Sequence, residues 1–249
     1  MLLRRITEHV KEQNWFAVVL DFFIVIAGIL IALQISNWNE VRSNKFGLIG
    51  SLERISKEVS QNISLIELVL AHFEQGKEDL RLGREMLNAC AFSPEAEAAL
   101  QRSLFDMVED VQPNFVTVAL DQLAGQAHYQ DLLSAQFQES FGSYAGRLKE
   151  EHEQLTNHYD KMWSHHVNFH PAVTAFFPSE PGNAGNPSDY EGWRFELNKP
   201  FGEVCMDASF RNRFINTIGF YTAIERRLLI FKSEAEGFQK SIAEELGLR

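Results

Sequence analysis

Five of the eight histidines, His152, His158, His165, His166 and His170, crowd into one short stretch. Imidazole is the side chain best suited to bind zinc or to pass a proton near neutral pH, so their spacing decides what they can do together. His152-Glu153 followed by His158 looks like a zinc-protease helix, but that motif needs its imidazoles at i and i+4. A spacing of i+6 turns the second ring about 120° away from the first. His158 and His165 share a helix face yet stand about 10 Å apart along the axis, too far to hold one ion without a ligand between them. His166 and His170 have the i,i+4 spacing that permits chelation, although Pro171 marks the end of a helix there. These two are the weak metal candidates, and they need an acid from elsewhere in the chain.

Cys90 and Cys205 are the whole cysteine complement. Two thiols make neither a Cys-only zinc site nor a cysteine-dense secreted scaffold. Each falls near the end of an expected helix. In an oxidising compartment they form a disulfide across 115 residues; in a reducing one they are two buried thiols. The acidic clusters at 149–153 and 234–245 read as solvated helix faces, and no two carboxylates pair for acid–base work. The phosphate loop G-x-x-x-x-G-K-[ST], G-x-G-x-x-G, G-x-S-x-G and H-E-x-x-H are all absent from the sequence. The expectation is a protein without catalytic residues or a cofactor.

The elements that must carry these residues begin with an apolar run. Residues 16–35 contain only Asp21 and Gln34 as polar positions, and 20 residues of helix span about 30 Å, the thickness of a bilayer's hydrocarbon core. Trp15 and Trp38 stand at either end, where indoles favour the membrane interface. An acid inside the run, its length and the lack of an A-x-A-like site after it disfavour a cleaved signal peptide. Residues 1–14 read as an amphipathic interfacial helix and 15–38 as the transmembrane helix. Arg4, Arg5 and Lys11 before the run outweigh Arg42 and Lys45 after it, so the positive-inside bias puts the N-terminus in the cytoplasm and residues 39–249 outside it.

The charge divides accordingly. The chain carries 23 Lys+Arg against 34 Asp+Glu, a net −11 over 249 residues, and all of the excess lies beyond residue 35. An acidic surface argues against nucleic acid as a partner and suits a bundle standing off anionic headgroups. Within the apolar run, Asp21, Gly28, Ala32 and Asn39 fall within about 20° of one helical stripe. A small-xxx-small pair beside a carboxylate is the composition of a helix–helix contact in lipid. The expected partners are therefore membrane lipid and either a second copy of the chain or another membrane protein.

The segment GILIALQISNWNE at residues 28–40, preceded by an acid and an apolar run, resembles a family of uncharacterised bacterial single-pass membrane proteins whose anchor helix ends in this motif. Leu120 to Tyr129, followed by Phe137 and the aromatic stretch at 141–144, resembles that family's second segment, a Leu-x-x-x-Gly pattern before an aromatic-rich helix. It departs there from the usual Ser-Gly-Asn-Leu. The resemblance covers about a third of the chain. It implies the bacterial inner membrane, an anchor helix and a helical extramembrane domain, and it carries over no catalytic residue.

Beyond the anchor the helical period dominates, and the fold expected is all-α, an elongated antiparallel bundle. Apolar residues at 48, 52, 55, 59, 63, 66, 70 and 73 extend the anchor helix to about Asn88, with a break at most near Gly76 or Gly83. Ser93-Pro94 opens a short helix to about Glu109, and Pro113 opens another to about Ala127. A long helix carries Leu133, Phe137, Tyr144, Leu148, Leu155, Tyr159 and Met162. The last helix alternates spacings of four and three through Phe210, Phe214, Thr217, Tyr221, Ile224, Leu228, Phe231, Ala235, Phe238 and Ile242, the seam of a left-handed bundle.

Residues 168–207 hold five of the seven prolines together with seven aromatics, and read as one long loop folded on the bundle. Phe176, Phe177, Tyr190, Trp193 and Phe195 are its candidate partner-binding residues. The sequence thus points to a membrane-anchored, non-enzymatic scaffold or complex subunit. A homo-oligomeric sensor or channel-like assembly packed through the Asp21 stripe is the alternative. A metal-dependent hydrolase comes third.

Overall fold

The computed structural model describes residues 15–106, 113–176 and 194–247; the interfacial helix expected over 1–14 lies outside them. Helix α1 (Trp15–Ala89) runs unbroken for 75 residues, about 110 Å. It is followed by α2 (Pro94–Asp106), α3 (Val118–Ala124), α4 (Ala127–Gln130), α5 (Ala135–His165), a 3₁₀ turn (Val167–Phe169), strands β1 (Val173–Phe176) and β2 (Arg194–Leu197), α6 (Phe201–Met206) and α7 (Ala208–Gly247). The fold is all-α apart from that one short strand pair.

The chain goes up, down, up and down. The first descent is segmented, and its contacts with α1 move steadily back along that helix. Arg102 pairs with Asp79, Val116 bonds to Asn62, Ala119 to Glu58, and Tyr129 lies directly on Gly47. Helix α5 then rises beside α7, with Ser134 bonded to Glu245, Glu151 to Arg227 and His158 edge-on to Phe220. Helix α7 descends along α1, linked through Lys77–Glu225, Lys232–Glu67 and Gln239–Ser56.

Pro113 does not open a helix to Ala127. Asn62 occupies both backbone groups of Val116, which leaves that residue no helical hydrogen bond, and Glu58 accepts the N–H groups of Ala119 and Leu120. A borrowed carboxylate therefore caps α3, and the helix begins only at Val118. The first ascent has no break either. Gly76 and Gly83 are both buried within α1. A methyl group on Gly83 would meet the Phe214 ring and the Ser103 hydroxyl at 3.2 Å, so this glycine lets α2 and α7 lie close. Helix α1 ends where Cys90 turns into the left-handed region at φ 50°, a conformation that costs a residue with a Cβ about 1 kcal/mol.

The core forms two clusters. One runs from Leu48 to Phe73 on α1 against α3, α5 and the lower half of α7; the other, at the far tip, joins Met86, Leu100, Val167, Phe195, Val204, Phe210 and Phe214. Nine of the ten seam residues read on α7 are buried, Tyr221 being half-buried. On α1 the line of apolar residues slips: Ile63 and Leu70 are only half-buried, and the centre is held by Asn62 and Val69.

The region expected as a loop is partly regular. β1 and β2 pair antiparallel with Val173 opposite Leu197 and Phe176 opposite Arg194, and α6 follows at once. Phe177, Tyr190 and Trp193 lie outside the described residues. Phe195 is buried at 5% exposure, because its strand packs on α2, so it belongs to the tip core and not to a binding face.

Candidate functional site

The largest exposed apolar surface is the lower third of α1. Every side chain from Val19 to Ser43 is exposed, including Phe22, Phe23, Ile24, Leu30, Ile31 and Leu33. A stretch of this helix is long and apolar enough to cross a membrane. Burying exposed hydrocarbon surface is favourable by about 25 cal/mol per Å². Asp21, Gly28, Ala32 and Asn39 lie on this uninterrupted helix. Asp21 has no hydrogen-bond or ion-pair partner among the described residues, and a Cβ added at Gly28 would meet nothing within 4 Å. The Trp15 backbone opens the helix. Trp38 is 65% exposed.

Between that surface and the bundle lies a collar. The Arg42 guanidinium carbon sits 5.7 Å from the centre of the Trp38 ring and 5.7 Å from that of Phe46. Spacings of i−4 and i+4 bring one ring below and one above the cation. One residue later Tyr129 seats on Gly47.

The bundle's cohesion depends on polar residues at seam positions, which a search for apolar periodicity passes over. Continuing the four-three count reaches Asn62 on α1, Glu151 on α5 and Glu245 on α7, all buried. Glu245 accepts from the Ser134 hydroxyl at 2.6 Å and from its N–H at 3.2 Å, while Ser134 in turn caps Phe137 at the start of α5. Glu151 takes both arms of Arg227 at 3.0 and 3.1 Å and Arg147 at 2.8 Å. Tyr144 stacks on Phe231 and Phe238. Burial pushes its phenol up to about 12, with Asn62 opposing the shift and Glu58 adding to it.

At the tip, Cys90 and Cys205 are joined as a disulfide with their Cα atoms 5.4 Å apart, tying the end of α1 to α6. His166 and His170 are not on a helix: each has extended backbone, and the 3₁₀ turn separates them. His166 Nδ1 accepts the Asn168 N–H at 3.2 Å and His170 Nδ1 the Ala172 N–H at 3.1 Å. Each Nδ1 helps to turn the chain, and the extended backbone at both residues removes the helical i,i+4 geometry that the spacing suggested. His170 Nε2 faces the Asp207 carboxylate at 3.6 Å. Burial lowers the His170 pKa; Asp207 opposes this, while Arg213 and Lys199 reinforce it. His152 is exposed on α5 and His158 binds the Gln154 carbonyl. Among the described residues no group of three His, Cys, Asp or Glu is arranged to hold a metal ion.

The clefts offer little chemistry. One of about 340 Å³ lies between α1 and α7, floored by Phe73, Leu80 and Tyr221. Its Lys77 is bound to Glu225 and Glu74, each at 2.6 Å, and those bonds raise its pKa. Its Arg81 is held by Glu78 and Glu85. A second cleft, about 480 Å³, runs between the Asn114–Asp121 stretch and α5. In the second, the Thr117 hydroxyl donates to the Asp121 carboxylate at 2.9 Å, a bond within the first turn of α3.

The chain matches no protein-family model, no curated protein and no solved structure. What fold and surface define together is a helical bundle with one helix long and apolar enough to span a bilayer.

Proposed function

We propose that this chain is a single-pass membrane protein whose bundle stands at the bilayer surface and works through protein contacts, as a scaffold or complex subunit without catalysis of its own. The observation that carries the reading is the continuity of α1. The same unbroken helix supplies the bare apolar span and the central seam of the bundle, so the extramembrane domain is rigidly coupled to its anchor. The resemblance of residues 28–40 to bacterial anchor helices supports an inner-membrane location. The Cys90–Cys205 disulfide and the basic residues before the span favour a cytoplasmic N-terminus and a bundle in the oxidising periplasm. Phe92, Phe169, Phe176 and Met206, all exposed around the tip elements, are the side chains offered to a partner.

The test has two stages. Carbonate extraction of membranes should leave the full chain in the pellet, and protease added to spheroplasts should reach the bundle. Cross-linking in native membranes with mass spectrometry should then join tip residues to heterologous membrane or periplasmic proteins. A chain released by carbonate ends the anchor reading. Cross-links only between copies favour the second reading, a homo-oligomer packed through the Asp21, Gly28 and Ala32 stripe. That reading has its own support in the Asp21 carboxylate, which has no partner among the described residues and lies on the apolar stretch.

A further inference from the structure

We propose that the collar Trp38–Arg42–Phe46, with Lys45, is a phosphate-binding clamp for the headgroup of an anionic phospholipid. The inference rests on the anchor reading above and adds a ligand and a site to it.

Three observations converge on the collar. The first is depth. Arg42 lies seven residues beyond the last residue of the apolar run, about 10 Å along the axis, and helical side chains lean toward the N-terminus, here toward the bilayer. The headgroup layer is roughly 5 to 8 Å thick on each side of the hydrocarbon, so the guanidinium reaches phosphate level. Trp38 sits below it at the interface that indoles prefer.

The second is the state of the cations. In the bundle, Arg81, Arg102, Arg147, Arg227, Lys77 and Lys232 each hold a carboxylate. Arg42 and Lys45, like Arg84 and Lys240 in the bundle, hold none among the described residues, so what sets Arg42 apart is its pair of rings. Arg42 is instead kept between two rings at 5.7 Å each, an arrangement that leaves the edge of its planar fork open. That fork matches two oxygens of a phosphate, and the rings reduce the rotamer freedom lost on binding. Lys45 is one turn further along the same face. Glu40, the collar's one acid, projects from the opposite side, two residues from Arg42.

The third is room. Side chains from Val19 through Ser43 are exposed, as are Lys45 and Phe46, and Tyr129 sits on α1 only at Gly47. Arg42 and Lys45 therefore remain accessible beneath the bundle. The rest of the extramembrane domain is acidic, so the collar is where anionic lipid finds attraction and not repulsion.

Purified full-length protein in a neutral detergent micelle, offered phosphatidylglycerol or phosphatidylcholine, gives the test by native mass spectrometry of retained lipid. Wild type should retain phosphatidylglycerol in preference. Arg42→Ala should lose about five-fold in retention and the Arg42→Ala/Lys45→Ala pair about five-fold more, as expected at about 1 kcal/mol per cation near an anionic surface. Arg42→Lys should fall between, because it keeps charge but not the fork. Equal retention by wild type and Arg42→Ala overturns the clamp. So does displacement of bound lipid by millimolar inorganic phosphate alone, which would make the ligand a free anion. Carbonate extraction of the same variants separates this failure from failure of the anchor: the clamp variants should remain in the pellet with wild type.

Discussion

Asn62 on α1 holds both backbone groups of Val116, its amide nitrogen donating to the carbonyl at 2.9 Å and its amide oxygen accepting the N–H at 2.8 Å. The side chain does for one residue what a neighbouring strand would do, and it sits at a seam position that is fully buried. Asn62→Ala should destabilise the bundle by about 2 kcal/mol, two hydrogen bonds at roughly 1 kcal/mol each. Asn62→Asp should be worse, since it loses the donor and sets a second anion one turn from Glu58. Denaturant midpoints of the two variants check the order; an Asp variant as stable as wild type refutes the clamp.

Glu151 is fully buried, and its two arginine partners are about a quarter exposed. Removing the carboxylate leaves Arg227 facing a hole, but that arginine can turn partly to water. Glu151→Ala should therefore cost about 3 kcal/mol, the low end for breaking a buried pair. The Glu151→Met/Arg227→Met pair should recover part of that loss, because Arg147 keeps Glu150 and Glu234 as partners. Thermal melts of the three proteins decide whether the network is a net stabiliser or a device for setting register.

The burial of His170 sets a pH dependence at the tip, which its Asp207 contact moderates. Burial lowers the folded-state pKa of His170 below that of the unfolded chain, so the unfolded state binds more protons between the two values. The contribution is complete above the unfolded value near 6.5 and is lost as pH falls through the folded one. Asp207 is also lowered despite some burial, because the Phe210 and Ser209 N–H groups bind its carboxylate. Its capping contribution is thus present at mildly acidic pH and fades only below the ordinary carboxylate range. Stability should decline as pH falls below about 6.5 with a slope no steeper than about 1.4 kcal/mol per unit, and His170→Asn should flatten it. An unchanged slope in that variant would place the acid sensitivity elsewhere.

Which parts of this architecture were legible in the sequence follows from how each part is held. A continuous apolar run and a four-three seam are local patterns, and the structure carries both on long helices, α1 and α7. In the first descent Ser93-Pro94 does mark the start of α2, but α3 starts where Glu58, some sixty positions earlier, caps it, and no local pattern encodes that. Phe195 counted as a binding aromatic only until its strand proved to be packed on α2. His166 and His170 have the i,i+4 spacing that permits chelation, but spacing is silent about backbone, and here both residues are extended and not helical. Arg42 was counted for its charge in orienting the span, while the two rings at i±4 that give it a geometry went unused.

Reduction should loosen one end of the molecule only. The Cys90–Cys205 bond closes 115 residues of chain, for which loop entropy gives on the order of 4 to 5 kcal/mol. The lower core is built from separate residues. In Cys90→Ser/Cys205→Ser, amide exchange should accelerate across 167–176 and 194–206 while 48–73 stays protected. Uniform acceleration along α1 would mean that the two clusters unfold as one.

Gly28 separates the two readings of the anchor most cleanly. Nothing lies within 4 Å of a Cβ placed there, and the residue is remote from the bundle, so Gly28→Leu has no means of disturbing the fold of a single chain. If copies pack through the Asp21 stripe, the leucine holds their backbones apart and association falls. Asp21→Leu should act in the same direction by removing the interhelical hydrogen-bonding group, and Asp21→Asn should retain most of the association because its amide still bonds. Oligomer mass by light scattering in detergent, corrected for bound micelle, reads all three. A smaller particle for both leucine variants, with Asp21→Asn near wild type, establishes the contact between copies. An unchanged mass in both leaves Asp21 as a carboxylate hydrated at the membrane boundary, and the chain as a monomeric anchor whose partners bind the tip.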